Sequence, residues 1–242
     1  MNTPPIVLIT GANKGIGLET ARQLGQKGMY VYLGSRDVAR GKAAAEKLKS
    51  QGIECEAVEL DVTNAATIQA VVEIISKRFG QLDVLVNNAA ISIDDQKKKP
   101  TDQSLDMWRR TFETNLFGMI AVTQACLPLL HKSKAGRIVN LSSGLASATI
   151  HADPKGGLPK NIAAYAISKT AVNAWTIHLA AELKDTPIKV NAADPGWVKT
   201  DLGGPDAPWE VELGAKTSVQ LATLDENGPS GGFIKLGQPI PW

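Results

Sequence analysis

IVLITGANKGIG, residues 6–17, joins a short apolar run to a turn that contains three glycines. The apolar run predicts a buried strand, and the amphipathic residues that follow predict a helix over 15–26. Gly11, Gly15 and Gly17 let the backbone at this strand-to-helix turn approach a ligand closely. The free N–H groups of a helix N-terminus favour an anion, such as the pyrophosphate of a dinucleotide. Glycines alone would also fit an ordinary tight turn, so their position between strand and helix decides the interpretation.

The same alternation of short apolar and longer amphipathic runs continues along the chain, which is typical of repeated βαβ units. It predicts an α/β fold with a doubly wound (Rossmann), mostly parallel seven-stranded sheet and helices on both faces. We expect a single dinucleotide-binding domain over 1–242, with a small substrate-loop region near 200–212, and irregular segments over 144–161 and 203–211. The predicted strands cover residues 6–10, 30–34, 54–60, 84–86, 137–141, 189–192 and 232–236. The predicted helices cover residues 15–26, 38–50, 65–79, 104–130, 162–183 and 211–222.

Composition places the chain among ordinary globular proteins, with 43% hydrophobic and 21% charged residues. A net charge of +2, spread along the sequence, excludes a strongly basic nucleic-acid-binding protein. Cys55 and Cys126 lack the spacing of metal ligands, so we expect two reduced thiols and no metal site. The sequence has no signal-peptide pattern and no apolar stretch of about 20 residues, so we expect a cytoplasmic location and no membrane partner.

The end of the second predicted strand distinguishes NAD from NADP. An NAD site needs an Asp or Glu there to bind the ribose 2′-hydroxyl, whereas this sequence has Ser35 followed by Arg36. Arg36 is a cation suited to bidentate phosphate contact, and Lys14 in the glycine turn is placed to join it. These residues predict a 2′-phosphate, and therefore NADPH/NADP as the cofactor. The alternative is that Asp37 binds the ribose, although Asp37 is also well placed as the N-cap of the next helix.

Tyr165 and Lys169 are four residues apart on a predicted helix, so their side chains share one face. A cation within about 4–6 Å favours the phenolate, which predicts a lowered pKa for Tyr165 and a role in general acid–base chemistry. Ser142 and Ser143 follow the strand over 137–141, at the carboxyl end where open α/β sheets bind ligands. A hydroxyl at that position is suited to polarise a carbonyl group.

A series of motifs over nearly the whole chain resembles the short-chain dehydrogenase/reductase family, in its compact single-domain branch. The motifs are TGANKGIG at 10–17, Asp61-Val62, Asn87-Asn88-Ala89-Ala90, Asn115, NLSS at 140–143, Tyr165 with Lys169, and Pro195-Gly196-Trp197-Val198-Lys199-Thr200. Ser-Arg-Asp after the second strand and the glycines at 228–233 resemble the carbonyl-reductase-like subgroup. The family's central motif usually ends in glycine, where this chain has Ala90, and we expect the extra methyl group to be tolerated.

The resemblance implies a catalytic tetrad, formed by Ser143, Tyr165, Lys169 and Asn115. Ser143 is preferred to Ser142 because it is the second serine of the pair. Tyr165 would donate a proton to a carbonyl oxygen held by Ser143, while Lys169 lowers the tyrosine pKa and binds the nicotinamide ribose. Asn115 would hold a water of a proton relay; the alternative is a polar residue satisfied inside its helix. The residues implied to contact the cofactor are Gly11, Asn13, Lys14, Gly15, Ile16, Gly17, Arg36, Asp61, Val62, Asn88, Tyr165, Lys169, Pro195, Val198 and Thr200.

The same resemblance implies an NADPH-dependent enzyme that reduces small-molecule ketones and aldehydes to alcohols, with Tyr165 as general acid. Apolar residues near the tetrad, or after Thr200, are candidates for the substrate pocket, although each is equally suited to a core position. These candidates are Leu145, Ile150, Trp197, Leu202 and Trp209. The segment 149–159 is interpreted as an insertion beside this pocket.

Other functions would use the same residues. An NADP-linked alcohol or hydroxysteroid dehydrogenase would work mainly in oxidation, and a dehydratase or sugar epimerase would need a larger substrate domain than 242 residues supply. An NADP-binding sensor would have no need of the complete tetrad. The family likeness implies a homo-oligomer, a dimer or tetramer, and the insertion at 149–159 leaves a monomer open.

Overall fold

One sheet of eight strands organises the computed structural model, which describes residues 4–153, 155, 159 and 161–242. The strands are β1 (Ile6–Ile9), β2 (Tyr30–Ser35), β3 (Cys55–Glu59), β4 (Val84–Asn87), β5 (Arg137–Leu141), β6 (Lys189–Ala193), β7 (Phe233–Lys235) and β8 (Gln238–Pro239). Their spatial order is β3-β2-β1-β4-β5-β6-β7-β8, and every neighbouring pair from β3 to β7 is parallel. This is the predicted doubly wound arrangement.

The prediction of seven strands is wrong by one short strand. β8 pairs with β7 in antiparallel fashion, with Ile234 opposite Pro239. The two residues that connect β7 to β8, Leu236 and Gly237, have φ angles of 47° and 78°. Positive φ at both positions makes a tight hairpin turn, and a leucine at the first of them is an uncommon residue for that geometry. The turn therefore carried little sequence signal.

Eight helices surround the described part of the sheet. They are α1 (Gly15–Gln26), α2 (Val38–Lys49), α3 (Ala65–Phe79), α4 (Leu105–Phe112), α5 (Gly118–Leu130), α6 (Ala148–Ala152), α7 (Ala163–Glu182) and α8 (Val211–Ala222). The prediction of one α-helix over 104–130 is wrong in its interior, because a π-helical turn, Glu113–Phe117, separates α4 from α5. This turn contains Asn115, whose side chain hydrogen-bonds across to Ile91. Single π-helical turns inside α-helices are frequent at functional sites.

The segment predicted to be irregular over 144–161 contains two short ordered elements. A 3₁₀ turn at Gly144–Ala146 is followed by α6. The hydroxyls of Ser143 and Ser147 accept hydrogen bonds from the backbone N–H groups of the first turns, which is how serine starts a helix. The proposed insertion at 149–159 lies partly outside the described residues, since 154 and 156–158 are not among them.

The sheet divides the core into two layers. Along β1, Ile6 and Leu8 point to the face that α3, α5 and α7 cover, while Val7 and Ile9 point to the face that α1, α2 and α8 cover. This alternation is the period of two that a strand imposes on its side chains. Cys55 and Cys126 belong to opposite layers, and both are buried free thiols, as predicted. Across the described ranges, no helix is both long and apolar enough to cross a lipid bilayer.

The strand order reverses at β1, which lies between β2 and β4. In open α/β sheets, the helices on the two sides of such a point diverge and ligands bind outside the carboxyl ends of the strands. Thr10, Asn88, Ser142 and Asp194 each follow at or within one residue of a strand end at this edge. The fold therefore brings segments far apart in sequence to a single site.

Truncation of a sheet residue tests the packing of this core. Leu85 of β4 is fully buried, and Leu85→Ala is expected to lower the free energy of unfolding by about 2–5 kcal/mol. Leu105→Ala is the matched control, because Leu105 is 69% exposed and its truncation should change stability by less than about 0.5 kcal/mol. Urea denaturation measures both, and equal losses in the two variants would contradict this assignment of the core.

Candidate active site

The glycine turn after β1 is shaped by two kinds of constraint. Gly11 and Gly15 have φ angles of 64° and 56°, in the left-handed region that favours glycine. Gly17 is constrained by space instead, because a Cβ atom there would lie 2.4 Å from the Asn88 Nδ2 atom and 2.8 Å from the Gly11 carbonyl oxygen. The position of Gly17 therefore has no room for a side chain.

The Asn88 side chain hydrogen-bonds to the backbone of this turn. Its Nδ2 atom donates hydrogen bonds to the carbonyl oxygens of Thr10 (2.7 Å) and Gly11 (3.1 Å). The Thr10 hydroxyl in turn accepts from the backbone N–H groups of Asn88 and Ala89, both at 2.9 Å. The Asn88 amide group that was expected to line a cofactor pocket thus serves to fix the glycine turn.

The N-terminus of α1 begins within the turn and is not capped by a side chain, which is the geometry of an anion site. Lys14 occupies the N-cap position, and its side chain makes no capping hydrogen bond to the helix. Gly15 lies against the Thr200 side chain, because a Cβ atom at Gly15 would be 3.3 Å from Thr200 Cγ2. Open N–H groups and the helix dipole attract a phosphate at such a terminus. Ile16 packs against the apolar layer beneath, and Asn13 is half-buried beside it.

The residues after β2 divide into a structural group and an exposed one. Ser35 is buried, and its hydroxyl donates to the Asp37 carbonyl oxygen at 2.7 Å. The Asp37 carboxylate caps α2 by accepting from the Arg40 N–H at 3.0 Å, and it also pairs with the Arg40 guanidinium at 3.2 Å. Asp37 is therefore the N-cap, as predicted, and its carboxylate is engaged. Arg36 is exposed beside it.

Two further charges flank this end of the site. Lys14 forms an ion pair with Asp201, a contact that the sequence did not indicate. The pKa of Asp201 is lowered mainly by Lys14, with a smaller contribution from the charge of Arg40. Arg40 therefore lies near the same surface as Lys14. The sequence gives no direct signal for Arg40, because it lies in the first turn of α2 and not directly after the strand.

The acidic motif Asp61-Val62 lies after β3. The Asp61 Oδ1 atom accepts hydrogen bonds from the Thr63 backbone N–H (2.9 Å) and hydroxyl (2.8 Å). Val62 is buried against Gly118, where a Cβ atom would lie 2.7 Å from the Val62 carbonyl oxygen. The half-buried carboxylate of Asp61 and the Val62 backbone thus have fixed positions on the same edge of the sheet.

Tyr165 and Lys169 are buried on one face of α7, as their spacing predicts. The Lys169 ammonium lies 5.9 Å from the centre of the Tyr165 ring and donates a hydrogen bond to the Leu141 carbonyl oxygen at 2.7 Å. Leu141 is the last residue of β5, so this bond ties the helix to the strand that precedes Ser143.

The predicted lowering of the Tyr165 pKa is wrong. Burial raises the pKa of Tyr165 to about 12; hydrogen bonding with Ser143 lowers it, and the charge of Asp194 raises it further. Burial likewise lowers the pKa of Lys169 to about 8. Desolvation disfavours the charged form of each group, and here it outweighs their spacing on the helix.

The two serines after β5 have different environments. Ser142 is buried, and its hydroxyl donates to the Asn173 Oδ1 atom at 2.6 Å. Ser143 is half-buried and lies close enough to Tyr165 to hydrogen-bond with the phenol. The geometry therefore gives Ser142 a structural partner and leaves Ser143 facing Tyr165.

Asn115 is buried in the π-helical turn with its side chain fully engaged. Its Oδ1 atom accepts from the Ile91 N–H at 2.8 Å, and its Nδ2 atom donates to the Ile91 carbonyl oxygen (2.9 Å) and the Ser168 hydroxyl (3.0 Å). These bonds connect the loop after β4 to α7, one residue before Lys169. The side chain thus has its hydrogen-bonding groups satisfied by residues outside its own helix.

Two carboxylates at the site were missed by sequence reasoning. Asp94 accepts hydrogen bonds from the backbone N–H groups of Ala164 (2.8 Å) and Tyr165 (3.3 Å), and so caps α7 from the loop after β4. No local pattern reveals a cap so distant in sequence. Asp194 is buried directly after β6. Its position before Pro195, directly after a predicted strand, is a sequence signal for this edge of the sheet.

The candidate substrate residues fall into two groups. Trp197 and Leu202 are exposed at the rim, and the Trp197 indole N–H donates to the Gly203 carbonyl oxygen at 2.7 Å. Leu145 and Ile150 are half-buried after Ser143. Trp209 packs instead against Gly196, where a Cβ atom would lie only 2.3 Å from its ring.

The segment after β6 forms the remaining wall of the site. Val198 is buried and pairs with Trp209 in an isolated β-bridge. The Thr200 hydroxyl accepts from the Gly203 N–H at 3.0 Å, which closes a small turn after Pro195 and Val198. Within the described ranges, no three His, Cys, Asp or Glu side chains are grouped as a metal site would require.

Comparison with known proteins agrees with this arrangement. A family model described as short chain dehydrogenase matches residues 5–211. The chain belongs to the short-chain dehydrogenase family. Among curated members, carbonyl reductase (NADPH) 1 of Sus scrofa is 34% identical over 277 residues, covering 98% of this chain and 94% of that protein. The short-chain dehydrogenase anuI of Penicillium roqueforti is 35% identical over 241 residues, covering 97% and 94%.

Two solved structures of reductases superpose over nearly the whole chain. NADPH-bound carbonyl reductase from chicken fatty liver has a TM-score of 0.87 and 28% identity, covering 100% of this chain and 96% of that one. Salutaridine reductase from Papaver somniferum has a TM-score of 0.83 and 30% identity, covering 95% and 99%. The family assignment thus rests on both sequence and fold.

The different roles of the two serines can be tested by stability. Ser142→Ala leaves the buried Asn173 oxygen without its donor and is expected to lower the free energy of unfolding by about 1–3 kcal/mol. Ser143→Ala is the matched control, and its loss should be less than half as large. Urea denaturation of both variants measures this difference; a larger loss in Ser143→Ala would reverse the assignment.

Proposed function

We propose that this short-chain dehydrogenase reduces ketones and aldehydes to alcohols with NADPH, using Tyr165 as the proton donor. The observation that carries the proposal is the buried Tyr165–Lys169 pair, with Ser143 beside the phenol, at the sheet edge that also holds the glycine turn. Relatives named as NADPH carbonyl reductases, 34% identical over 98% of the chain, support the same reaction.

The residues present fit a dinucleotide phosphate cofactor. The glycine turn would meet the pyrophosphate, because Gly11 and Gly15 have the positive φ angles of glycine and the N-terminus of α1 has no side-chain cap and is open to an anion. Lys14, Arg36 and Arg40 supply the cations for a 2′-phosphate. At the nicotinamide end, Lys169 would bind the ribose hydroxyls, and the wall formed by Val198 and Thr200 would hold the carboxamide. When bound, NADPH supplies the hydride that adds to the carbonyl carbon of the substrate.

Tyr165 supplies the proton that completes the alcohol. With a pKa of about 12, the phenol is protonated at neutral pH and can donate to the carbonyl oxygen as negative charge develops there. Ser143 orients that oxygen by donating a hydrogen bond to it. Lys169, with a pKa of about 8, exchanges protons near neutral pH and would restore the tyrosine proton.

In this proposal, the backbone of the π-helical turn at Asn115 would hold the water of a proton relay. The Asn115 side chain is committed to Ile91 and Ser168, so the backbone carbonyl groups of this turn are what remains to hold a water near Lys169. A π-helical turn shifts the regular helical hydrogen bonds, which leaves such groups available.

The high tyrosine pKa favours reduction over the alternative of a mainly oxidative dehydrogenase. Reduction requires the protonated phenol, whereas oxidation of an alcohol requires the phenolate. Burial of Tyr165 maintains the protonated form over the physiological range. We assign the substrate loop to 200–212, together with Trp197, which precedes it. The exposed side chains of Trp197 and Leu202 favour a hydrophobic carbonyl compound as substrate.

Turnover with and without the phenol is the direct test. NADPH oxidation at neutral pH, followed by absorbance with a panel of aryl ketones, aldehydes, diketones and ketosteroids, is expected for the wild-type protein. Tyr165→Phe should lower kcat by about 100- to 10,000-fold, because the general acid is lost while the ring and its packing remain. NADPH binding, measured by fluorescence titration, should change little in this variant.

The outcomes separate the competing functions. Unchanged turnover in Tyr165→Phe would refute the proton-donor role. Tight NADPH binding without reduction of any carbonyl in the panel would instead favour an NADP-binding sensor.

Cofactor preference tests the cations at the end of β2. Arg36→Asp removes a phosphate contact and adds a repelling charge, so the KM for NADPH should rise by roughly 10- to 100-fold, with little change in the KM for NADH. Lys49→Asp is the control, because it makes the same change of charge in the last turn of α2, away from the β2 end of that helix. An equal rise of the KM for NADPH in both variants would mean that Arg36 acts only through long-range electrostatics.

A further inference from the structure

The first turn of α7, which carries Tyr165, has no capping side chain of its own. The residue at the N-cap position is Ile162, whose apolar side chain cannot accept a hydrogen bond. The first backbone N–H groups of a helix have no partners within the helix. Ala164 and Tyr165 are both buried, so their N–H groups would be costly to leave without acceptors from another segment.

Asp94, in the loop after β4, supplies these acceptors. Its Oδ1 atom accepts from the Ala164 N–H at 2.8 Å, and its Oδ2 atom accepts from the Tyr165 N–H at 3.3 Å. Each carboxylate oxygen thus binds a separate N–H group, and one of these groups belongs to the proposed proton donor itself. The negative charge of the carboxylate is also favoured at a helix N-terminus.

The loop that carries Asp94 is itself fixed three residues earlier, at Ile91. Asn115 binds both backbone groups of Ile91, and its Nδ2 atom also donates to the Ser168 hydroxyl at 3.0 Å. The Ser168 hydroxyl in turn donates to the Tyr165 carbonyl oxygen at 2.7 Å. The backbone N–H and carbonyl groups of Tyr165 are therefore both bound by side chains, and both series of bonds lead to the same loop.

These bonds restrict the phenol of Tyr165 as well as its backbone. The hydroxyl is the side-chain atom farthest from the backbone, so a small rotation of the first turn of α7 moves it by a larger distance. Proton transfer requires this hydroxyl within hydrogen-bond reach of the substrate oxygen, and a displacement of about 1 Å can lower a rate by about 100-fold. The position of the first turn therefore affects the rate of the reaction in addition to the stability of the helix.

We propose that Asp94 is a positioning residue, which fixes the Tyr165 phenol for proton transfer by binding the backbone of the first turn of α7. This inference rests on the proposed function of Tyr165 as the proton donor. The two carboxylate oxygens bind helix N–H groups, so the effect of Asp94 reaches the reacting atoms through Tyr165. Loss of Asp94 should therefore slow the chemical step and leave cofactor binding unchanged.

The test is the single-turnover rate of NADPH oxidation by the full chain with an aryl ketone, because this rate reports the chemical step and not product release. Asp94→Ala removes both acceptors and should lower the rate by roughly 10- to 100-fold. The Kd for NADPH, measured by fluorescence titration, should change by less than about twofold. Asp94→Asn keeps an acceptor oxygen, and asparagine caps helices as well as aspartate does, so the rate should recover to within about threefold of wild type.

Asn64→Ala is the matched control, because Asn64 caps α3 by accepting from the Ala66 N–H at 3.0 Å. Loss of either cap should lower the free energy of unfolding by a similar amount, which urea denaturation measures. Asn64→Ala should nevertheless leave the single-turnover rate within about twofold of wild type, since α3 carries none of the proposed reacting groups.

Hydrogen exchange, measured by NMR, establishes whether the first turn of α7 is released. The amides of Ala164 and Tyr165 should exchange at least about tenfold faster in Asp94→Ala and should be unchanged in Asn64→Ala. Thermal unfolding by circular dichroism establishes that each variant is folded. Asp94→Glu, which shifts the carboxylate by one methylene group, is a second displacement and should lower the single-turnover rate by roughly 3- to 10-fold.

A slower single-turnover rate in Asp94→Ala, with recovery in Asp94→Asn, supports the proposal. Faster exchange of the two amides with an unchanged rate would overturn it, since Asp94 would then only cap the helix. A loss of rate that Asp94→Asn does not recover, or an equal loss in Asn64→Ala, would also overturn it. Retained turnover in Tyr165→Phe would refute the proposed function instead, so the two failures are distinguishable.

Discussion

Thr10 directly follows β1; its hydroxyl accepts hydrogen bonds from two consecutive N–H groups after β4, and its carbonyl oxygen accepts from the Asn88 side chain. This joint fixes the glycine turn to the neighbouring strand at the point where the sheet order reverses. The start of α1, the approach of Gly17 to Asn88, and the contact between Gly15 and Thr200 all depend on it. An active site assembled from four strand ends needs such a joint because its parts are connected only through the sheet.

Desolvation is the second influence on the chemistry of the site. Tyr165 and Lys169 are both buried, and burial shifts their pKa values toward their neutral forms, to about 12 and about 8. Spacing on a helix places two groups together, but the medium around them decides which protonation states they hold. In this protein the medium favours a protonated phenol next to a lysine that titrates near neutral pH, a combination suited to giving a proton and replacing it.

Most of the parallel sheet and the motifs at its edge could be predicted from the sequence, because periodicity and strand-to-helix turns are local signals. β8 was missed since its turn uses Leu236 at positive φ, and the π-helical turn was missed since Asn115 is held by Ile91, a residue distant in sequence. The same reason applies to the cap that Asp94 provides for α7. The altered Tyr165 pKa could not be predicted, because burial is a property of the assembled fold.

The short antiparallel strand β8 has a consequence for the behaviour of the protein in concentrated solution. An open sheet presents unpaired backbone groups at its last strand, which invite pairing with another chain and growth into aggregates. Here that last strand is two residues long, and its Pro239 has no N–H group to offer. The hairpin thus terminates the sheet on this side and protects a parallel core that would otherwise be extended by foreign strands.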